Sequence, residues 1–125
     1  MDINIEASSK TPLIKTNLAD GKVEISGRSI PENSIDFYKP LLDALTHFAE
    51  NPSASAELNA YLDYFNTSSS KCLLDVFKLF EQVHAKNSST VIVWKYDEDD
   101  EDMQEAGKDY QSILNVPFRF EEIAE

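Results

Sequence analysis

The chain has 125 residues and a formal net charge of −12, from 11 Lys and Arg against 23 Asp and Glu. Hydrophobic residues make up 42% of it, which is enough for one folded core, so we expect a single domain over residues 1–125. The charge excludes nucleic acid as a partner and disfavours anionic membrane surfaces. Cys72 is the one cysteine, which excludes an internal disulfide, and its place among apolar helical positions predicts a buried side chain.

The N-terminal segment, residues 1–6, is acidic and has no long apolar run, so the sequence predicts no signal peptide. No apolar stretch is long enough to span a bilayer. We therefore expect a cytoplasmic protein with no direct membrane insertion.

Short strands dominate the first thirty residues. Apolar and polar residues alternate over residues 3–5, which predicts a first strand. The segments Leu13–Thr16 and Lys22–Ser26 flank a turn that ends in Asp20-Gly21, a strong hairpin signal.

A helix follows, with Asn33 or Ser34 as the predicted N-cap. Its apolar residues recur with helical spacing along one wide face. Pro40 interrupts this pattern, so we expect one turn before Pro40 and a main helix that begins there.

The second half of the chain alternates strands and helices. The strand Glu57–Phe65 carries Leu58, Ala60, Leu62 and Tyr64 on one side and Tyr61 and Phe65 on the other, which is typical of an interior strand in a covered sheet. A helix that follows residues 67–70 places Phe77 and Phe80 on its apolar face. The strand Thr90–Tyr96, a helix after Met103 and a last strand, Val116–Ile123, complete the pattern. The predicted fold class is therefore α/β, bordering on α+β, with a mixed sheet of about five strands and helices packed on it.

Four consecutive hydroxyl residues, Thr67–Ser70, stand where the strand hands over to the helix. They can cap the helix, or they can present an oxygen for phosphorylation beside the unpaired N–H groups of the first turn. A phosphate there adds about −1.5 to −2 charge and meets a favourable helix dipole. Both interpretations remain open from the residues alone.

Six carboxylates, Asp97–Asp102, follow the strand that ends at Tyr96. They can be a solvated helix start or a docking surface for a basic partner. They do not match a calcium loop, because Asp102 occupies the position that requires glycine. His47 and His84 lie on separate helices with no adjacent nucleophile, so we predict no catalytic residue, metal or cofactor.

Two hypotheses of different classes follow. The first is a non-enzymatic binding protein controlled by phosphorylation, which needs one exposed hydroxyl and a contact surface. The second is a small metal-dependent enzyme or an acidic adaptor that uses the Asp97–Asp102 tract. A metal site needs ligands that converge from several elements, and the sequence shows only one linear cluster.

Three segments in this order resemble one known family. They are Pro31-Glu32-Asn33 followed by Phe37-Tyr38, then Tyr64–Lys71, then Tyr96–Met103. Together they resemble the bacterial SiaC-type regulatory phosphoproteins over nearly the whole chain. The resemblance implies a fold like that of the anti-sigma-factor antagonists and a partner-switching role. It also implies phosphorylation by a Ser/Thr kinase, reversal by a PP2C-type phosphatase, and binding and activation of a diguanylate cyclase by the unmodified form, in cyclic-di-GMP signalling and biofilm formation.

The same resemblance assigns the phosphoacceptor to Thr67, with Ser68 as the alternative. The expected partner-binding residues belong to the two segments around this site and the acidic tract: Asn66, Thr67, Ser68, Ser69, Lys71, Asp97, Glu98, Asp99 and Asp100.

Overall fold

A computed structural model describes residues 2–86 and 89–124. Its elements alternate strand and helix after an N-terminal strand ladder. In chain order they are β1 (Asn4–Ile5), β2 (Leu13–Asn17), β3 (Lys22–Ser29), α1 (Ser34–Glu50), β4 (Ala56–Phe65), α2 (Thr67–Lys86), β5 (Thr90–Asp97), α3 (Glu101–Ile113) and β6 (Phe118–Ile123).

The strands form one mixed sheet in the order β1-β2-β3-β4-β5-β6. The first three strands are antiparallel to one another, and β3 to β6 are parallel. The predicted hairpin joins β2 to β3, and Gly21 adopts a φ of +71° in its turn. The described residues contain six strands rather than about five, because the two-residue β1 pairs with β2 at the edge. The expected fold class holds.

All three helices lie on one face of the sheet. Each crossover between β3 and β6 advances one strand in the same direction, and such crossovers are right-handed. On the covered face Ala60 and Leu62 are at most 2% exposed, whereas Asn59 and Tyr61 on the opposite face remain partly accessible. The expectation that β4 is covered on both faces is therefore wrong. On the second face of β4 the side chains instead form polar contacts. For example, the Tyr61 hydroxyl donates a hydrogen bond to the Asp97 carboxylate.

A β-bulge at the end of β4 changes which aromatic side chains face the core. Gly27 pairs with Leu62 but Arg28 pairs with Tyr64, so Asp63 is an extra residue in the ladder. After the bulge Tyr64 is 52% exposed and Phe65 packs edge-on against Trp94, with ring centroids 6.5 Å apart. The predicted faces of Tyr64 and Phe65 are therefore reversed, because simple alternation does not anticipate an inserted residue.

Helix α1 is continuous from Ser34 to Glu50 and contains Pro40, so the expected division at Pro40 is wrong. Asn33 is the N-cap, and its side chain accepts a hydrogen bond from the Asp36 N–H. Packing compensates for the hydrogen bond that proline cannot donate, since Tyr38 and Leu41 on either side of Pro40 are fully buried.

The core lies between the helices and the covered face of the sheet. Trp94 is its largest fully buried side chain, and its indole N–H donates to the Met103 carbonyl over 2.9 Å. Phe77 and Phe80 of α2 are fully buried, which confirms the predicted face of that helix. Cys72 is 5% exposed and burial raises the pKa of its thiol, as expected of a buried cysteine.

Candidate functional site

The hydroxyl run forms the first turn of α2, directly after β4. Asn66 caps the helix, because its side-chain oxygen accepts a hydrogen bond from the Ser69 N–H over 2.9 Å and its carbonyl accepts one from the Ser70 N–H. Capping is therefore the task of Asn66 and not of the four hydroxyls. The side-chain hydroxyls of the run are therefore not needed to cap the helix.

Ser69 belongs to a buried network of hydroxyls that joins α2 to β3 and α1. Its Oγ accepts a hydrogen bond from Ser29 Oγ at 2.8 Å, donates one to the Ser29 carbonyl at 3.1 Å and lies 3.3 Å from Ser34 Oγ. Ser29 Oγ is also 2.6 Å from the Tyr38 hydroxyl. Burial raises the pKa of Tyr38 to about 12, although its hydrogen bond to Ser29 acts in the opposite direction.

The other three hydroxyls lie nearer the surface, and their environments differ. Ser68 Oγ is 2.7 Å from Ser34 Oγ and donates to the side-chain oxygen of Asn66. Ser70 Oγ donates to the Thr67 carbonyl over 2.8 Å. Thr67 is exposed, and within residues 2–86 and 89–124 its side chain has no hydrogen-bond partner. Thr67 therefore offers the least encumbered oxygen of the run.

The charges around the first turn of α2 favour a bound or attached anion. It contains no acidic side chain, in contrast to the first turn of α3. Lys71 is exposed and lies four residues after Thr67, so the two side chains share one face of the helix. Helix N-termini carry a partial positive charge, which favours added negative charge at this position.

The acidic run is divided among three structural roles. Asp97 ends β5 and accepts the hydrogen bond from Tyr61, whereas Asp100 is the N-cap of α3 and accepts from the Met103 N–H over 3.0 Å. Glu98 and Asp99 are exposed in the turn between them. Among the residues that the structure describes, no group of three or more His, Cys, Asp or Glu could hold a metal ion.

The hydroxyl run and the acidic run lie at the same edge of the sheet, the one formed by the carboxyl ends of its parallel strands. They do so because β4 and β5 are parallel and each segment follows one of these strands. A groove of about 350 Å³ lies at this edge, between the end of β4 and the start of α3. It is lined by the end of β4 and the start of α3: Asp63, Tyr64, Phe65, Asp100, Asp102, Met103 and Ala106.

Sequence reasoning missed several residues at this edge. Ser29 and Ser34 contact the hydroxyl run from 40 and 35 residues away, and no local pattern predicts this contact, although Ser34 was a candidate N-cap of α1. Ile35 is 73% exposed in the first turn of α1, next to Ser34. In the sequence Ile35 resembles an ordinary apolar helical position, so its exposure could not be predicted.

The histidines lie away from this edge. His47 is exposed near the end of α1, where its Nδ1 is 3.3 Å from Glu50. His84 is in the last turn of α2, and its Nδ1 is buried without a hydrogen-bond partner among the described residues. The geometry does not place either ring beside the hydroxyl run.

Comparison with known proteins identifies the family. Residues 5–123 match the sequence profile of the SiaC family regulatory phosphoproteins. The chain belongs to the SiaC family. A protein of Pseudomonas aeruginosa strain UCBPP-PA14 is 29% identical over 117 residues, which are 94% of this chain and 93% of the relative.

Solved structures of this family share the fold. SiaC of Pseudomonas aeruginosa superposes with a TM-score of 0.88 at 27% identity, over 98% of this chain and 99% of that one. A second structure, of the diguanylate cyclase SiaD with its activator SiaC from the same species, gives a TM-score of 0.90 at 28% identity, over 98% of this chain and 100% of that one. The predicted family is confirmed. Among the described residues, no helix is long and apolar enough to cross a membrane.

Proposed function

We propose that this SiaC-family protein is a non-enzymatic, cytoplasmic switch whose reversible phosphorylation on Thr67 controls binding to a diguanylate cyclase. The unmodified form binds and activates the cyclase. A Ser/Thr kinase and a PP2C-type phosphatase set the fraction that is modified. The SiaC relative that is the activator of SiaD supports the choice of a cyclase as the effector.

The environment of Thr67 is the observation that carries this proposal. A kinase must reach an oxygen and deprotonate it, which is easiest where the hydroxyl is exposed and not already bonded. Ser69 is fully buried, and Ser68 and Ser70 both make side-chain hydrogen bonds. Thr67 meets both conditions, which favours it over the alternative, Ser68.

A phosphate on Thr67 changes the surface without unfolding the domain. It adds about −1.5 to −2 charge at a helix N-terminus, where the dipole is favourable. Lys71 lies one helical turn away on the same face and can pair with it. A partner that packs closely on this surface must then desolvate a dianion, so its affinity falls.

The proposed contact surface has two parts that the sheet brings to one edge. The first consists of Asn66, Thr67, Ser68 and Lys71, and the second is the segment Asp97–Asp100. Ser69 is fully buried, so it supports this surface from beneath and does not contact a partner directly.

Kinase treatment followed by peptide mass mapping tests the acceptor. The wild-type protein and the Ser68→Ala variant should each gain one phosphate on Thr67, whereas the Thr67→Ala variant should gain none. Titration against the purified cyclase should show that Thr67→Ala retains binding. The phosphorylated wild type should bind at least about tenfold more weakly, because an unpaired charge is expensive to bury.

Two results would contradict the proposal. Stoichiometric modification of the Thr67→Ala protein would show that another residue is the acceptor. Equal affinity of the phosphorylated and unmodified forms for the cyclase would show that the phosphate does not control binding.

A further inference from the structure

Strand β6 forms one end of the sheet, and its outer edge has no partner strand within the described residues. Two hydrogen bonds show how its backbone is turned. The Ile92 N–H donates to the Pro117 carbonyl over 2.9 Å, and the Glu98 N–H donates to the Ile123 carbonyl over 3.0 Å. Since successive residues of a strand turn their backbone groups to opposite sides, the odd-numbered residues between these two bonds face β5. Phe118, Phe120 and Glu122 therefore direct their N–H and C=O groups outward.

This outward edge is well suited to a second copy of itself. In an antiparallel pair about a two-fold axis, outward-facing residues must lie opposite outward-facing residues. When the axis passes through Phe120, Arg119 of each copy lies opposite Glu121 of the other, which creates two favourable cross-strand pairs. A shift that moves the axis to Arg119 or to Glu121 places like charges opposite each other. The charges of β6 thus favour the register centred on Phe120 over the two neighbouring registers.

The two faces of the strand support the same register. On the helix side, Phe118 and Phe120 are half-buried and their rings stack with centroids 6.2 Å apart. The two-fold axis would bring Phe120 of each copy together, which covers apolar surface that is now partly exposed. On the opposite side the Arg119 side chain is 55% exposed and already lies 3.2 Å from Glu121 of its own chain. It can therefore reach a second carboxylate at the same level of the sheet.

The opposite end of the sheet does not offer an equivalent edge. Strand β1 has only two residues, Asn4–Ile5, whereas β6 has six. Short edge strands are a common protection against pairing, and charged side chains are another. At β6 the charges alternate in a way that repels a shifted register but fits one symmetric register.

We propose that two copies of this chain associate through antiparallel pairing of their β6 strands, centred on Phe120, so that one sheet continues across both copies. This inference does not depend on the proposed phosphorylation switch. The contact lies on the edge of β6, whereas the hydroxyl run follows β4, two strands away.

Sedimentation equilibrium at moderate salt, over about 1 μM to 1 mM protein, tests the proposal, since salt near 0.15 M screens the charge of −12 on each copy. The wild type should show a reversible monomer–dimer equilibrium. Glu122→Pro removes an outward N–H without removing a bond to β5, so this variant should be monomeric and folded. Glu122→Ala is the matched control, because it removes the same side chain and keeps the N–H, and it should still dimerise.

Charge reversal provides a second and independent test. Arg119→Glu alone and Glu121→Arg alone should each raise the dimer dissociation constant at least about tenfold, because each places two like charges opposite each other. The double variant with both changes restores opposite charges and should dimerise like the wild type. A wild type that stays monomeric up to 1 mM would overturn the proposal and leave the charges as edge protection. A dimer that ignores Glu122→Pro, or that the double variant fails to restore, would overturn it equally.

Discussion

Adjacent serines in the first turn of α2 have opposite environments, although the sequence presents them as one run. Ser69 is fully buried and contacts Ser29 and Ser34, whereas the Ser70 hydroxyl donates to the Thr67 carbonyl of its own helix. A buried hydroxyl that bonds across elements stabilises the fold more than one that bonds within its own turn. The same substitution at these two positions should therefore have different consequences.

Ser69→Ala should lower the free energy of unfolding by about 1–2 kcal/mol, because it deprives the buried hydroxyls of Ser29 and Ser34 of a partner. Ser70→Ala is the matched control, and it should change stability by less than about 0.5 kcal/mol. Urea unfolding monitored by circular dichroism measures both. Equal effects of the two substitutions would show that the hydroxyl network does not stabilise the junction.

The position at which β4 ends and α2 begins could be predicted from the sequence, but the structural role of each hydroxyl there could not. An apolar strand, a hydroxyl run and a helical pattern mark where β4 meets α2, and these are local signals. The burial of Ser69 depends instead on Ser29 and Ser34, which the fold brings from 40 and 35 residues away.

Helix α3 packs closely against the sheet at Gly107. A Cβ on Gly107 would lie 2.5 Å from Trp94 Nε1 and 2.8 Å from Phe120 Cε2. Trp94 cannot easily yield, because it is 1% exposed and its indole N–H is bonded to the Met103 carbonyl. The absence of a side chain at residue 107 thus sets the distance between helix and sheet.

Gly107→Ala should destabilise the protein by about 1–3 kcal/mol, because overpacking against Trp94 outweighs the gain of about 1 kcal/mol in helix propensity. Lys108→Ala, at the exposed neighbouring position, should change stability by less than about 0.5 kcal/mol. Thermal melts of both variants decide the matter. A stabilised Gly107→Ala protein would show that propensity prevails and that the sheet and helix can move apart.

Element boundaries followed well from periodicity, and the exceptions have physical causes. The helix α1 passes through Pro40 because buried neighbours hold it together, and tertiary packing of this kind is invisible in a local pattern. The faces of Tyr64 and Phe65 are exchanged because Asp63 is inserted into the ladder. Within the described residues, the other strands and helices begin and end within a few residues of where alternation and helical spacing predicted them.

The molecule as a whole should be sensitive to alkaline pH. Burial raises the pKa of Tyr38 to about 12, and it also raises the pKa of Tyr110, whose hydroxyl donates to the Ser70 carbonyl. Both tyrosines are therefore neutral in the folded state at a pH where an unfolded tyrosine, with a pKa of about 10, has lost its proton. The folded state binds more protons than the unfolded state in this range, so stability falls as pH rises.

Between pH 10 and about pH 12 the free energy of unfolding should decrease by about 1.4 kcal/mol per pH unit for each of these tyrosines. In the Tyr38→Phe variant the decrease should be about half as steep, since only Tyr110 remains. Urea unfolding at pH 9, 10, 11 and 12 measures the slopes. A stability independent of pH in this range would contradict the assigned burial of both hydroxyls.

The net charge of −12 should also guide how partners approach. Glu98 and Asp99 are exposed in the turn after β5, and neither caps a helix, so both can be neutralised without loss of a cap. In the Glu98→Gln, Asp99→Asn variant the association rate with the cyclase should fall roughly two- to tenfold at low salt, and its dependence on salt should weaken.

Asp20→Asn with Glu50→Gln makes the same change in charge before β3 and at the end of α1, at the opposite edge of the sheet. Stopped-flow association at two salt concentrations compares the two variants. Equal effects of both pairs would mean that only the total charge matters and that the acidic run is not a docking surface.

The bulge at Asp63 has a consequence for how the chain tolerates changes in length. Because Asp63 is supernumerary in the ladder, a chain that lacks it could pair Gly27 with Leu62 and Arg28 with Tyr64 without interruption. Loss of one residue earlier in β4, such as Ala60, would instead turn every following side chain to the other face and carry the capping Asn66 with it. Deletion of Asp63 should thus leave the orientation of the phosphoacceptor segment intact. The rest of β4 should not tolerate a change in length, because its residues are paired one to one with β3.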